Sequence, residues 1–239
     1  MYISIINVSC FFQNTKTPII KTTIDIWYKK HKRNFSSSSN YSYSSSKRNS
    51  SNLSFTSATS KKTNRNSSFS NPIGIDIKNP QLTWICDGGK KQTAYKVVCK
   101  IKDEIVFDTG KVSSSSMRCI LNVPYASRLK VSVFVCLWDE DDACGNEVSC
   151  SFEYGLLNKE DWVAKYISAN IKPSKKERYP VDCFRKKFIT SDVVAARLYI
   201  SSLGLYEAKI NGKRVGEFVM APGSTDNRVR TQYQVYDVS

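Results

Sequence analysis

The sequence predicts an all-β protein that begins with a disordered tail. Short runs of alternating apolar and polar residues, separated by turn residues, recur from residue 71 onward. No segment there keeps a helical period over three turns. Residues 34–70 are mainly Ser and Asn, and such a stretch buries too little apolar surface to offset its ordering entropy. We therefore expect a disordered basic Ser/Asn-rich tail over residues 1–70, a β-sandwich over 71–157 and a second, incomplete β-sandwich over 158–239.

The positive charge of the chain is concentrated in the tail. The formal net charge is +15, and residues 1–71 hold eleven of the 36 Lys and Arg residues but one of the 21 acidic residues. A basic tail can contact phosphates, but no RNA-binding motif accompanies it, so we expect no nucleic-acid partner. Residues 1–12 are apolar enough to suggest a signal peptide, which would make secretion possible, but no Lys or Arg precedes them, so the signal is not convincing. The run is also too short to cross a bilayer. We expect no membrane span and assign no compartment.

The predicted strands of the first sandwich follow one another at short intervals. Residues 81–86 form the first clear run. Residues 93–102 alternate cleanly, with Val97 and Cys99 on one face and lysines on the other. Further strands are predicted at 104–107, 117–121, 130–138 and 147–154. Six or seven short strands in about eighty residues is typical of an immunoglobulin-like or fibronectin type III sandwich.

The second β unit is predicted to begin at residues 161–167. Strands are expected at 183–189 and at 194–201, where Ala196, Leu198 and Ile200 face one way, and then at 206–210 and 232–238. Asn211 and Gly212 predict a two-residue hairpin turn, because both central residues of a type I′ turn need a positive φ.

An ordered set of short motifs resembles the N-terminal region of the α-L-rhamnosidases of glycoside hydrolase family 78. The fullest piece is residues 198–216, and the others, in chain order, are residues 71–76, 80–84, 92–97, 107–112, 138–139, 152–157, 161–165, 185–188 and 221–226. Each piece is weak alone, whereas their order is specific. The chain departs from the pattern at Phe107, where the family usually has Trp, and at Ser224, where it has an aromatic residue.

The resemblance implies an accessory region of a sugar-cleaving enzyme. The family hydrolyses terminal α-L-rhamnosides with inversion, through a carboxylic acid and a carboxylate base in a downstream (α/α)₆ barrel. These 239 residues do not contain that barrel, so we assign no catalytic residue, expect no required cofactor and expect no hydrolysis by this chain alone. The barrel would be the intramolecular partner in a longer relative. The alternative is a stand-alone module that binds rhamnose or another carbohydrate, or serves in adhesion.

The resemblance also suggests a binding site in the loop before the last strand. In some relatives the corresponding domain is a calcium-dependent rhamnose-binding module. Calcium prefers hard oxygen ligands, so we expect the ion at Asp226 and Asn227, with the sugar beside them. Tyr206, next to a break at Gly204, is the candidate aromatic for a further sugar contact. The alternatives are a solvated turn at Asp226 and Asn227 and a core position for Tyr206.

Other candidate groups have simpler structural interpretations. The four acids of residues 139–142 fit a polar hairpin tip better than a metal site, because Gly145 is one place late for an EF-hand loop. We expect Trp84 in the first core and Trp162 packed between the two sandwiches.

The cysteines and the histidine exclude several chemistries. Cys86 and Cys136 differ in strand parity, so we expect free structural thiols rather than a disulfide. His31 is the only histidine and the chain has no Cys-x-x-Cys, which excludes ordinary zinc spacings and His-dependent nucleophilic catalysis in the ordered part.

Overall fold

The computed structural model describes residues 6–29, 52–55, 71–86, 91–169, 181–223, 226, 229 and 231–239. These residues contain fourteen strands and no α-helix, and their one helical piece is the 3₁₀ turn Lys159–Asp161. The strands are β1 (Ile6–Lys29), β2 (Asn52–Phe55), β3 (Ile73–Ile75), β4 (Gln81–Trp84), β5 (Ala94–Ile101), β6 (Glu104–Asp108), β7 (Val112–Ser113), β8 (Arg118–Ile120), β9 (Lys130–Trp138), β10 (Val148–Tyr154), β11 (Asp182–Ser202), β12 (Leu205–Ile210), β13 (Lys213–Arg214) and β14 (Tyr233–Asp237). The predicted all-β class is confirmed.

The chain divides into two units. Strands β2 to β10 lie in the first unit, which ends at Asp161. The second unit joins Trp162–Ser239 to β1. The division falls slightly after the predicted boundary between residues 157 and 158.

The first unit is a sandwich of two sheets. One sheet has the order β3-β10-β9-β5-β6, with β7 paired to β5, and the other has the order β2-β4-β8. The pairing is antiparallel except for the parallel pairs of β3 with β10 and of β2 with β4. Side chains from both sheets, together with Leu121 and Val123 just after β8, form one core. Its other buried residues are Leu82, Trp84, Val97, Cys99, Val131, Val133, Val135, Phe152 and Tyr154. This is the two-layer arrangement that the spacing of the strands predicted.

The inward positions predicted for β5 are confirmed, and β9 packs beside them. Val97 and Cys99 of β5 are fully buried, as is Val133 of β9. In the ladder Cys99 lies opposite Val133, and Val97 lies opposite Val135. Side chains on a strand alternate between the two faces, so one set of alternate residues on each strand forms the core.

The second unit forms one five-stranded sheet, in the order β13-β12-β1-β11-β14. The described residues thus supply one sheet where a complete sandwich has two. On one face, Leu198 and Ile200 of β11 pack with Tyr206, Ala208 and Tyr236. The inward positions predicted for β11 are therefore confirmed.

The opposite face of β11 is also covered, which the sequence did not predict. Tyr199 is 1% exposed and Ser201 is 3% exposed. The ring of Tyr233 lies 6.5 Å from that of Tyr199 and 5.0 Å from that of Trp162, centroid to centroid. Aromatic residues therefore bury this face of the strand as well.

The prediction of two separate strands at 183–189 and 194–201 was wrong, because β11 is continuous. Its partner β1 is paired on both sides of residues 191–193, with shifts of register between Gln13 and Asn14 and between Asn14 and Ile19. Polar residues that resemble a break in one strand are accommodated by irregular pairing, because a bulge absorbs extra residues without ending the ladder.

The tail also differs from the prediction, since β1 lies within the segment that we expected to be disordered. It pairs with β11 and, over Ile24 to Lys29, with β12. The expectation rested on the Ser/Asn-rich composition of residues 34–70, which does not extend to residues 19–28. Those residues are rich in β-branched and aromatic types, which favour strands. Of residues 34–70, the structure describes β2, which pairs with β4.

The second unit begins at Trp162, within the predicted residues 161–167, but residues 162–166 lie outside any strand. The carboxylate of Asp161 accepts hydrogen bonds from the hydroxyl of Ser127, which is distant in the chain, and from the backbone N–H of Asn158 at 2.9 Å. The bond from Asn158 closes the 3₁₀ turn Lys159–Asp161. A side chain that bonds to nearby backbone in this way competes with strand formation.

The predicted hairpin turn between β12 and β13 is confirmed. The φ angles of Asn211 and Gly212 are 49° and 81°, as a type I′ turn requires. A few residues on, Gly216 has a φ of 71°, and a Cβ there would lie 2.2 Å from Cε1 of Tyr236. That glycine is needed both for its backbone conformation and for the close approach of the ring.

Candidate functional site

Tyr206 lies in the core of the second unit. It is 7% exposed, and its hydroxyl donates to Oε1 of Gln234 at 3.0 Å. The hydroxyl of Tyr236 lies 3.0 Å from the same oxygen atom of Tyr206. Burial, followed by the neighbouring Tyr236 hydroxyl, raises the pKa of Tyr206. The ring therefore offers no open face to a sugar, and the alternative interpretation as a core residue describes its position.

Tyr206 instead holds the segment that leads into the candidate loop. Its backbone N–H donates to the carbonyl of Ala221 at 2.9 Å. Gln234, which accepts from the Tyr206 hydroxyl, donates through Nε2 to the carbonyl of Pro222 at 3.4 Å. The peptide bond between Ala221 and Pro222 is cis. Strands β12 and β14 thus each hold one residue of the short segment through which the chain enters the loop.

Asp226 is exposed within that loop. Its carbonyl accepts a hydrogen bond from the backbone N–H of Val229 at 2.9 Å, which closes a turn. Asp226 follows the anchored Pro222 segment by four residues, and Asn227, its predicted partner, is not among the described residues.

The calcium prediction can be compared with the ligands that the structure shows. Calcium takes six to eight oxygen ligands. Within the described part of the chain, no group of three or more His, Cys, Asp or Glu side chains is placed to hold a metal ion. Of the two predicted ligands, the structure describes Asp226, which is exposed. Calcium binding at Asp226 and Asn227 stays a prediction.

The acidic residues 139–142 form a hairpin tip, as predicted. The Asp139 carboxylate accepts the backbone N–H groups of Asp141 and Ala143, each at 3.0 Å. Asp142 forms an ion pair with Lys111, whose ammonium group lies 4.9 Å from the centre of the Trp138 ring. Asp139 thus caps the turn, and Asp142 binds a lysine.

Gln92 is a buried polar residue that the sequence did not single out. It is 6% exposed, and its Oε1 accepts the indole N–H of Trp84 at 2.9 Å and the thiol of Cys86 at 3.2 Å. Its Nε2 donates to the carbonyls of Ser114 and Ser116, each at 3.1 Å. Trp84 is therefore a core residue, as predicted, and Gln92 satisfies its one polar atom. A single glutamine carries no sequence signal for this role.

The thiols of Cys86 and Cys136 are both free. The thiol of Cys86 donates a hydrogen bond to Oε1 of Gln92, while Sγ of Cys136 lies 4.0 Å from Oε2 of Glu147.

Trp162, predicted between the two sandwiches, packs edge-on against Tyr233 of its own unit.

In the described residues, no helix has the length and apolar character needed to cross a bilayer.

The fold thus consists of an immunoglobulin-like sandwich followed by a second β unit, and known families match both parts. Residues 62–158 match the Rha78A-like, N-terminal immunoglobulin domain. Residues 191–239 match the α-L-rhamnosidase N-terminal domain. The chain therefore resembles the N-terminal region of α-L-rhamnosidases, which confirms the resemblance drawn from the ordered motifs.

Individual relatives agree with the family matches. An α-L-rhamnosidase of Formosa agariphila is 34% identical over 193 residues, which cover 72% of this chain and 20% of the relative. One from Streptomyces avermitilis is 62% identical over 47 residues, or 20% of this chain and 5% of the relative. The solved α-L-rhamnosidase from Dictyoglumus thermophilum is 34% identical, with a TM-score of 0.58, over 72% of this chain and 22% of that one. The chain spans about a fifth of the length of the relatives that it matches over most of its own length.

Proposed function

We propose that this chain serves as the N-terminal accessory region of an α-L-rhamnosidase, an enzyme that removes terminal α-L-rhamnose from glycosides or polysaccharides. The observation that carries the proposal is the order of the two β units, which match two different N-terminal domains of such enzymes in sequence. A likeness to a single sandwich would show a fold alone. The partner of these units is then the catalytic domain of the enzyme.

A chimeric enzyme tests this role directly. The complete 239-residue chain would replace the matching N-terminal region of the Dictyoglumus thermophilum α-L-rhamnosidase. We expect the chimera to be soluble and to hydrolyse 4-nitrophenyl α-L-rhamnoside at a rate within about tenfold of the parent enzyme, a loss of roughly 1.4 kcal/mol in transition-state stabilisation. The control is the parent enzyme with that region deleted, which we expect to aggregate or lose activity. A chimera that behaves like the deletion variant would contradict the proposal.

The chain by itself is expected to release no 4-nitrophenol from the same substrate. Inverting hydrolysis needs an acid and a base roughly 6.5 to 9.5 Å apart on opposite sides of the sugar. Several described carboxylates, among them Asp139, Asp142 and Asp161, cap turns or bind a lysine. Measurable turnover by purified chain, abolished by substitution of one of its carboxylates, would contradict the accessory role.

Rhamnose contact through the loop at Asp226 and Asn227 is the finer part of the proposal. It is supported by the exposed carboxylate of Asp226 and by the anchoring of the preceding segment to Tyr206 and Gln234. Isothermal titration of the full chain with L-rhamnose should give binding heat in calcium chloride and none in EDTA. Asp226→Ala should remove that heat, whereas Glu217→Gln, at an exposed acid of the same unit, should not. Absence of heat in both buffers would exclude this site and leave the accessory role intact.

A further inference from the structure

Two cysteines lie close together on the outer face of the hairpin formed by β9 and β10. Cys144 follows the acidic tip and forms an antiparallel bridge with Trp138. The backbone N–H of Gly145 donates to the carbonyl of Leu137 at 2.9 Å. This bond continues the pairing with β9 to residues that precede the first residue of β10. Cys136 lies two residues before Trp138 and therefore on the same face of the sheet. Cys136 and Cys144 are thus diagonal neighbours across the hairpin.

The environments of the two thiols agree with this placement. Cys144 is exposed and Cys136 is half-buried. The Cys136 thiol lies 4.0 Å from Oε2 of Glu147, and the Cys144 thiol donates to the carbonyl of Gly145 at 3.4 Å. Burial raises the pKa of Cys136, and the nearby Cys144 thiol raises it further, which agrees with their placement on one face of the hairpin.

The other cysteine of this hairpin faces the opposite side. Cys150 of β10 lies across from Val133, a fully buried residue of β9. It packs against the core, and burial raises its pKa to about 12. The alternation of side chains separates Cys150 from Cys136 by the thickness of the sheet.

We propose that Cys136 and Cys144 form a reversible disulfide that joins β9 to the hairpin tip. The thiolate of the exposed Cys144 attacks one sulfur of a small-molecule disulfide such as oxidised glutathione, and a first glutathione thiolate leaves. The sulfur of Cys136 then displaces the second glutathione, and the S–S bond of the protein forms. Two S–H bonds and two electrons are lost from the protein, and the small disulfide is reduced to two thiols.

The geometry requires a small adjustment before the bond closes. Diagonal neighbours on a sheet have Cα atoms about 7 to 8 Å apart, whereas disulfides span about 4.4 to 6.8 Å. Closing this difference takes a shift of about 1 Å between the two Cα atoms. Cys144 lies outside the named strands, at the isolated bridge to Trp138.

Peptide mapping of the full chain tests the proposal. The protein is incubated with oxidised glutathione, its remaining thiols are blocked with iodoacetamide, and it is digested with trypsin and a Glu-specific protease. Trypsin alone leaves Cys136, Cys144 and Cys150 in one peptide, residues 131–159. Cleavage after Glu140 and Glu147 separates them into 131–140, 141–147 and 148–153. We expect peptide 131–140 to be disulfide-linked to peptide 141–147, with a mass two hydrogens below the sum of the two free peptides. The cysteine of peptide 148–153 should be alkylated.

Two single variants make the outcome decisive. Cys144→Ser alters an exposed residue and should abolish the linked pair, while Cys150→Ser should leave it unchanged. Treatment with dithiothreitol should return both peptides to the alkylated form. Cys136 and Cys144 recovered as separate alkylated or glutathionylated peptides, or a link from Cys136 to Cys150, would overturn the proposal.

Discussion

Gln92 shows how one polar side chain stabilises the first core. It satisfies the indole of Trp84 and two backbone carbonyls while it is almost completely buried. A buried donor or acceptor that loses its partner lowers stability by more than the net contribution of one hydrogen bond, because the group has been removed from water and no longer has a partner to compensate.

We therefore predict that Gln92→Ala lowers the free energy of unfolding by about 2 to 4 kcal/mol. Urea denaturation followed by tryptophan fluorescence measures it. Lys91→Ala, at the exposed neighbouring position, is the control and should change stability by less than about 0.5 kcal/mol. Equal effects of the two variants would show that the hydrogen bonds of Gln92 contribute little.

At the scale of the element, two glycines near the hairpin from β12 to β13 have different requirements: Gly212 lies in its turn and Gly216 just after β13. Gly212 has a positive φ and open space around it, whereas Gly216 has a positive φ and the ring of Tyr236 against it. Alanine at the first position is strained only in its backbone.

Gly216→Ala should therefore destabilise the protein more than Gly212→Ala. We expect about 1 kcal/mol for Gly212→Ala and roughly 2 to 4 kcal/mol for Gly216→Ala, since overpacking adds to the backbone strain. Thermal unfolding of both variants under one condition compares them. If Gly212→Ala proved the more damaging, the close contact with Tyr236 would not be limiting.

The 3₁₀ turn that ends the first unit depends on the ionised carboxylate of Asp161. The hydrogen bond from the Ser127 hydroxyl, then that from the Asn158 N–H, lowers the pKa of Asp161. The Ser127 hydroxyl also accepts the backbone N–H of Leu157 at 2.8 Å.

This arrangement predicts an acid-sensitive contribution to stability. Because the folded pKa is below the unfolded value of about 3.9, the contribution is present above that pH and is lost as the pH falls through the folded pKa. Denaturant unfolding between pH 7 and pH 2 should show a shallower acid loss in Asp161→Asn than in the original chain. Identical acid limbs in the two proteins would show that another carboxylate controls this region.

At the scale of the whole molecule, each unit has its own core. Leu82 belongs to the first core and Leu198 to the second, and both side chains are fully buried. The two cores share no residue among those described.

A cavity in one core is expected to lower the stability of that unit selectively. Leu82→Ala and Leu198→Ala should each cost about 2 to 5 kcal/mol, and each should shift a different transition in a calorimetric scan. Tryptophan fluorescence assists the assignment, because Trp84 lies in the first core and Trp162 packs in the second unit. Parallel shifts of a single transition by both variants would show that the units unfold together.

The sequence by itself determined the strand faces of the first unit, the hairpin turn at Asn211 and Gly212, and the resemblance to rhamnosidases. These follow from alternation, from positive φ and from motif order, which are local properties that a sequence records. The tertiary structure decided the rest. It made β11 one strand, placed β1 beside it, buried Tyr206, made Gln92 a hydrogen-bond centre and brought Cys136 beside Cys144. Each of these outcomes depends on which strand pairs with which and in what register, and pairing joins residues far apart in the chain that no local pattern relates.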